Sequence, residues 1–279
     1  MRLTLALAAL FALVAAVIAA GAKGDGSPYT PGLVQGADGV LAPNGTVRFV
    51  TLATPKSTVV AAIGVRSGRV VNTNVLRGFY GVPIVAWDGS TGGISADGRK
   101  LVLGSYGPLP GDAGVTRFVF LRAKTLRQVR VFKLPGSWAY DAISPDGSTI
   151  YLIEYLAAGS SPRYRVRSLD TSTGRVDSEA IVDRREDEVL MRGQPVTRKT
   201  GLDGRWVYTL YARQKNEPFV HALDTVGRKA YCIDLPLRLR QLEQMALRLR
   251  LVRNGELQVR NGHTAVAIVD TEELEVAQR

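Results

Sequence analysis

Five tight corners recur along this chain of 279 residues, and no other feature narrows its fold as much. They are Pro43-Asn44-Gly45, Ala96-Asp97-Gly98, Pro145-Asp146-Gly147, Leu202-Asp203-Gly204 and Arg253-Asn254-Gly255. Their glycines lie 53, 49, 57 and 51 residues apart. Asn-Gly and Asp-Gly suit two-residue hairpin loops, in which both central positions take positive φ. One such corner is weak evidence, whereas five in near-register describe a repeated module.

The flanks of the corners repeat as well. A strand-like run follows each one: Val47–Leu52, Lys100–Tyr106, Thr149–Leu156, Arg205–Ala212 and Glu256–Arg260. A third strand follows at Thr58–Val65, Thr116–Ala123, Tyr164–Leu169, Pro218–Leu223 and Thr264–Val269. A fourth is expected at Arg69–Val75, Gln128–Leu134, Arg175–Val182, Lys229–Leu235 and Leu274–Ala277. A shorter first strand precedes the corner, as at Trp138–Ser144 and Ala246–Val252. Leu169-Asp170-Thr171, Leu223-Asp224-Thr225 and Val269-Asp270-Thr271 each lead into the fourth strand, their Asp and Thr oxygens suited to accept backbone N–H groups there. Four antiparallel strands per unit, five units long, describe an all-β fold: a β-propeller of five four-stranded blades, with six as the other count the length allows. A β-sandwich or two smaller β domains is the rival, and the even spacing argues against it. Leu235, Leu239, Leu242, Ala246 and Leu249 fall at helical spacing, so a loop or short helix to Gln244 is expected before the alternation Leu247–Leu251 starts a strand.

Ile143-Ser144-Pro145-Asp146-Gly147, then Thr149-Ile150-Tyr151, with Leu169-Asp170-Thr171 downstream, resembles the repeat of bacterial exported β-propellers of the YVTN-type and TolB-like kind. The resemblance covers about residues 37–279 and is strongest in the middle three units. It implies a fold and no catalytic residue. The first and last units depart from it, with Ala42-Pro43-Asn44-Gly45 and Val252-Arg253-Asn254-Gly255 in place of Ser-Pro-Asp-Gly. Closure of the ring would then rest on packing between first and last blades, or on residues 28–36 pairing somewhere.

The chain begins Met1-Arg2 and runs apolar from Leu3 to Ala22, broken only by Thr4 and Gly21. Residues 1–22 read as an export signal, with an uncleaved amino-terminal anchor as the rival reading. Residues 23–36 read as a flexible tether, and residues 37–279 as the propeller domain. The expected location is therefore outside the cytoplasm, secreted or associated with the cell envelope. Formal charge is +11, with Arg supplying 28 of the 36 basic residues. No nucleic-acid-binding motif accompanies it, so nucleic acid is not an expected partner. An anionic envelope polymer or another protein is, and a membrane only through the amino-terminal segment if that is retained.

A lone cysteine, Cys232, excludes an intrachain disulfide or a Cys-based zinc site, and two histidines, His221 and His263, leave little material for a metal centre. Neither a cofactor nor a metal is expected. Cys232 reads as an inert buried thiol, the charge run Asp183–Glu188 as a solvated loop, and Asn44-Gly45-Thr46 as a hairpin corner that also matches a glycosylation acceptor. Blade geometry places the short one-to-two and three-to-four turns on one face. The longer connections Arg77–Ser90, Gly107–Val115, Ala157–Arg163, Asp183–Gln194, Arg213–Glu217 and Pro236–Gln244 fall on the other, where binding usually resides. Candidate ligand-binding residues there are Tyr80, Trp87, Asp88, Trp138, Tyr140, Asp141 and Arg198, with Phe79 beside them. No catalytic residue is assigned. The function expected is an exported, non-catalytic binding or scaffold propeller. The alternative is a glycosidase- or lactonase-like hydrolase using Asp88 and Asp141 as channel-mouth carboxylates.

Overall fold

The computed structural model describes residues 33–34, 39–157, 163–185, 193–213, 217–252 and 255–277. The segment expected to be an export signal therefore lies outside the described residues, as do 158–162, 186–192 and 214–216 within the long connections. The short strand β1 (Leu33–Val34) comes first. A first sheet follows in the order β2 (Val40–Leu41), β3 (Val47–Ala53), β4 (Ser57–Gly64) and β5 (Val70–Arg77). Strand β6 (Val82–Pro83) then pairs antiparallel with β1, so the folded body reaches back into the stretch read as tether.

The second sheet is β7 (Lys100–Gly104), β8 (Val115–Arg122) and β9 (Arg127–Pro135), and the third is β10 (Ser137–Ile143), β11 (Thr149–Ala157) and β12 (Arg163–Asp170). The fourth is β13 (Gln194–Thr200), β14 (Trp206–Ala212), β15 (Phe219–Asp224) and β16 (Lys229–Asp234). One helical turn, α1 (Gln241–Gln244), precedes the fifth sheet, β17 (Leu247–Leu251), β18 (Glu256–Asn261), β19 (Thr264–Asp270) and β20 (Glu275–Val276). Strands within each sheet are consecutive and antiparallel, the meander of a propeller blade.

Expectation and structure part at two edges. Arg175–Val182 is no regular strand: only Leu169↔Val176 and Val166↔Ile181 bridge it to β12. The Asp177 carboxylate turns the chain instead, accepting from the Glu179 N–H at 3.2 Å. The inner strand of the second unit is likewise reduced to the bridges Gly81↔Gly104 and Ile94↔Leu101 onto β7, with the small hairpin closed by Ile84↔Thr91 between them.

The corners work differently from two-residue hairpins. Among the described residues of the corners, only the glycines take positive φ (Gly45 70°, Gly98 69°, Gly147 73°, Gly204 73°, Gly255 81°). Each described corner is a four-residue turn closed from the glycine N–H to the carbonyl three back, Gly45 to Ala42, Gly98 to Ser95, Gly147 to Ser144 and Gly204 to Gly201. Asn44, Asp97, Asp146 and Asp203 serve by side chain rather than by φ, each accepting from the N–H two residues on, at 2.9–3.1 Å.

The Asp-Thr pairs lock onto these corners. Asp170, Asp224 and Asp270 cap the three-to-four turn through paired backbone N–H bonds. The following threonine hydroxyl donates to the corner glycine's carbonyl: Thr171 to Gly147 and Thr225 to Gly204 at 2.9 Å, Thr271 to Gly255 at 2.5 Å. Both kinds of short turn therefore share one face. Thr225 is 2% exposed and donates to the Arg205 carbonyl too, so Thr225→Val is expected to lower unfolding free energy by about 1–2 kcal/mol in urea titrations.

Neighbouring sheets stack through apolar clusters that join first to second, second to third, third to fourth and fourth to fifth. Corners from successive units meet near a common axis. The Asp97 N–H donates to the Pro145 carbonyl at 3.0 Å, and a Cβ on Gly204 would stand 2.5 Å from that of Ala96. Among the described residues no apolar cluster joins the fifth sheet to the first, so the expected packing of first on last blade is not found there. No helix of the described residues is long and apolar enough to cross a membrane.

Candidate functional site

Two β-bulges shape the inner edge of the third and fourth sheets. In β10 the ladder to β11 skips Asp141, and in β13 the ladder to β14 skips Val196. A bulge re-aims the side chains around it. Asp141 and Arg198, on neighbouring sheets, thereby meet as a buried ion pair, with side chains 2% and 7% exposed. The guanidinium donates from Nη2 to the carboxylate, from Nη1 to the Asp141 backbone carbonyl, and from Nε to Thr209 Oγ1 at 2.8 Å.

The register extends this pair into a row. Arg198 on β13 lies opposite Thr209, Thr209 opposite His221, and His221 opposite Cys232, all on the side of the fourth sheet that faces the third. At the outer end Asp183 accepts from the Cys232 N–H at 2.7 Å and takes Arg185 in a two-pronged bond. Asp183 is 5% exposed, so the solvated reading fails for that residue, while Arg184 and Arg185 are exposed and residues 186–188 lie outside the described residues. Apolar layers flank the row. Tyr155, Tyr164, Tyr211 and Phe219 lie toward the long connections, and Tyr151, Val166, Val207 and Leu223 toward the corners.

Burial sets the electrostatics of this layer. It pushes the His221 imidazole down to about 4, with the Arg198 charge acting the same way and Asp141 and Asp183 opposing. His221 Nε2 has no hydrogen-bond partner among the described residues. Burial also carries the hydroxyls of Tyr155, Tyr164 and Tyr211 above the ordinary tyrosine range. Asp183 is held below the usual carboxylate value because the bonds from Arg185 and two backbone N–H groups outweigh its desolvation.

The remaining candidates separate into packing and exposed groups. Tyr80 is buried between the first two sheets, its N–H donating to Thr58 Oγ1 at 2.9 Å. Trp138 is buried between the second and third, its indole N–H on the Pro135 carbonyl at 2.8 Å and the Arg167 guanidinium over its ring. Tyr140 packs on Val85 in the same cluster; a Cβ on Gly92 would stand 2.6 Å from its ring, so only glycine lets the two approach. Trp87 and Asp88 form the tip of the small hairpin Ile84–Thr91. Their N–H groups donate to the Pro195 and Val196 carbonyls at 2.9 and 3.1 Å, which pins the tip to the inner edge of β13. Asp88 is exposed and caps its own turn through Ser90 N and Oγ at 3.0 and 2.6 Å. Trp87 stays 46% exposed.

The structure thus gathers Asp141 and Arg198, brings Trp87 and Asp88 to the same inner edge, and leaves Tyr80, Trp138 and Tyr140 in interfaces. Sequence reading did not join His221, Thr209 and Cys232 to Arg198, because their kinship is one of cross-strand register. It also missed Tyr106, 58% exposed and tilted against Phe79 with ring centroids 5.6 Å apart, and Leu109, 70% exposed. Among the described residues no three His, Cys, Asp or Glu side chains gather as a metal-ligand set.

Neither a protein family nor a curated protein matches the sequence. Solved structures do. An oligogalacturonate lyase in complex with manganese is 10% identical, with a TM-score of 0.51 over 86% of this chain and 63% of that one. A putative TolB from Agrobacterium tumefaciens is 12% identical, with a TM-score of 0.47 over 90% and 80%. The β-propeller domain of the Trilobed protease from Pyrococcus furiosus, described as having an open velcro topology, is 12% identical, with a TM-score of 0.45 over 78% and 61%. This chain spans less than two thirds of the lyase and of the Pyrococcus domain. At such identities the likeness speaks for the fold alone: the chain is an all-β protein with the β-propeller fold.

Proposed function

We propose that this is an exported, non-catalytic binding propeller that engages a protein or a cell-envelope ligand through its long-connection face. The observation that carries the reading is the exposed apolar set Trp87, Tyr106 and Leu109 on that face. Such groups are costly to leave in water and favourable to cover. Export rests on the apolar segment 1–22 and on the resemblance to TolB-like repeats. A hydrolase would need a pair of accessible carboxylates, and the two candidates are otherwise engaged: Asp141 is neutralised by Arg198, and Asp88 caps a turn.

The test is capture of partners from envelope extract by the immobilised full chain. Trp87→Ala with Tyr106→Ala is expected to lower the yield of a specific partner at least tenfold while the thermal melt stays put, as two aromatic anchors of ~1–2 kcal/mol each would require. Undiminished capture, or turnover of a glycoside or lactone lost in Asp88→Asn, sinks the reading.

A further inference from the structure

The first sheet buries one face and leaves much of the other, apart from the buried Val50, in water. Phe49, Val60, Ala62 and Leu76 pack on the second sheet. On the opposite face, the register sets Leu52, Val59 and Val75 in one row and Val70, opposite Ile63, beyond them, while the bulge in the β4–β5 ladder leaves Val71 exposed at the end of the sheet. Leu52, Val70, Val71 and Val75 are each 60–64% exposed. Isolated surface apolar residues need no explanation, but Leu52, Val70 and Val75 on one sheet face form a patch.

The charge around the patch has one sign. Between Val40 and Trp87 there is no Asp or Glu, and the charged residues are Arg48, Lys56, Arg66, Arg69 and Arg77. Lys56 stands in the turn at one end of the sheet, Arg66 and Arg69 in the turn at the other, and Arg77 ends the outer strand; all four are exposed.

The occupant must supply both apolar surface and negative charge. The chain's own fifth sheet does not cover the patch, which stays exposed with that sheet in place. A second copy would set five cations against five. A soluble polyanion would answer the cations and leave the valines wet. A bilayer rich in anionic headgroups answers both: its interface takes shallow apolar side chains, while its surface potential attracts Lys and Arg. We infer that the outward face of the first sheet lies on an anionic lipid surface, a contact separate from the long-connection face and from the amino-terminal segment.

Hydrogen exchange read by mass spectrometry tests this on the full chain, with vesicles of phosphatidylglycerol or of phosphatidylcholine. Residues 1–22 can adsorb to either, so the deciding signal is local to residues 57–77. Phosphatidylglycerol is expected to slow exchange there several-fold and high salt to restore it, with phosphatidylcholine leaving it unchanged. Val70→Ser with Val75→Ser, and separately Arg66→Gln with Arg69→Gln, are expected to abolish the protection. All four positions are exposed, so the fold should persist, and the arginine pair leaves the apolar patch intact. Equal exchange in all three conditions overturns the inference. So does protection that survives either double variant, that polyglutamate reproduces without vesicles, or that grows with protein concentration alone, as a second copy would cause.

Discussion

Replacing Arg198 with methionine is expected to lower the free energy of unfolding by about 3–5 kcal/mol, the cost of leaving a buried carboxylate without its partner. Asp141 has no route to water, with its side chain 2% exposed, and the guanidinium also satisfies the Asp141 carbonyl and Thr209 Oγ1. Against a total stability of roughly 5–15 kcal/mol, such a loss shows plainly as a shifted guanidinium midpoint. The double variant Asp141→Leu with Arg198→Met discriminates. Two apolar side chains in the same layer between Tyr211 and Leu223 should restore most of the loss, because an apolar replacement of a buried pair is often neutral. If the double variant is as unstable as Arg198→Met alone, the pair does not act as a unit. If the double variant folds and still captures the envelope partner, the pair holds sheets together and takes no part in binding.

Acid should unfold this protein through His221 before its carboxylates titrate. The imidazole titrates at about 4 in the folded chain against an ordinary value of 6.5, so as pH falls the unfolded chain takes up the proton first. Stability is therefore complete above about 6.5 and declines as pH drops toward 4. A shift of this size has a ceiling of roughly 3 kcal/mol. Asp183, Asp224 and Glu154, all held below their ordinary values, lose their contributions only below about 4.5. Denaturant titrations between pH 7 and 5 isolate the histidine. His221→Leu should flatten the dependence in that window, and an unchanged slope would mean that the imidazole is not buried neutral.

Much of the fold could be read from local sequence, because its devices are local. The Asp-Gly corners and Asp-Thr turns were visible as spacings, and the structure supplies the reason for their co-occurrence: Thr171, Thr225 and Thr271 each bond the glycine of their own unit's corner. The corner mechanism was misjudged for a physical reason. An Asp side chain satisfies the turn's N–H as well as a positive φ would, and the sequence looks the same in both cases. Arg175–Val182 failed as a strand because Asp177 and Ser178 favour local bonds over a ladder. The candidate site was half legible. Asp141 and Arg198 hold matching places on the inner strands of successive units, which the repeat shows, but their pairing depends on two bulges, and the row through His221 to Asp183 depends on register across sheets. Nothing in residues 84–91 announced that Trp87 and Asp88 would reach the inner edge of β13.

A photo-crosslinking side chain at Tyr106 or at Leu202 tests the central claim, that the two faces of this propeller have different work. Tyr106 lies on the long-connection face, and Leu202, 97% exposed, tops a corner on the opposite face. Irradiation in envelope extract should join a discrete partner to the Tyr106 derivative and none to the Leu202 derivative. The reverse pattern, or equal labelling from both, would contradict the account.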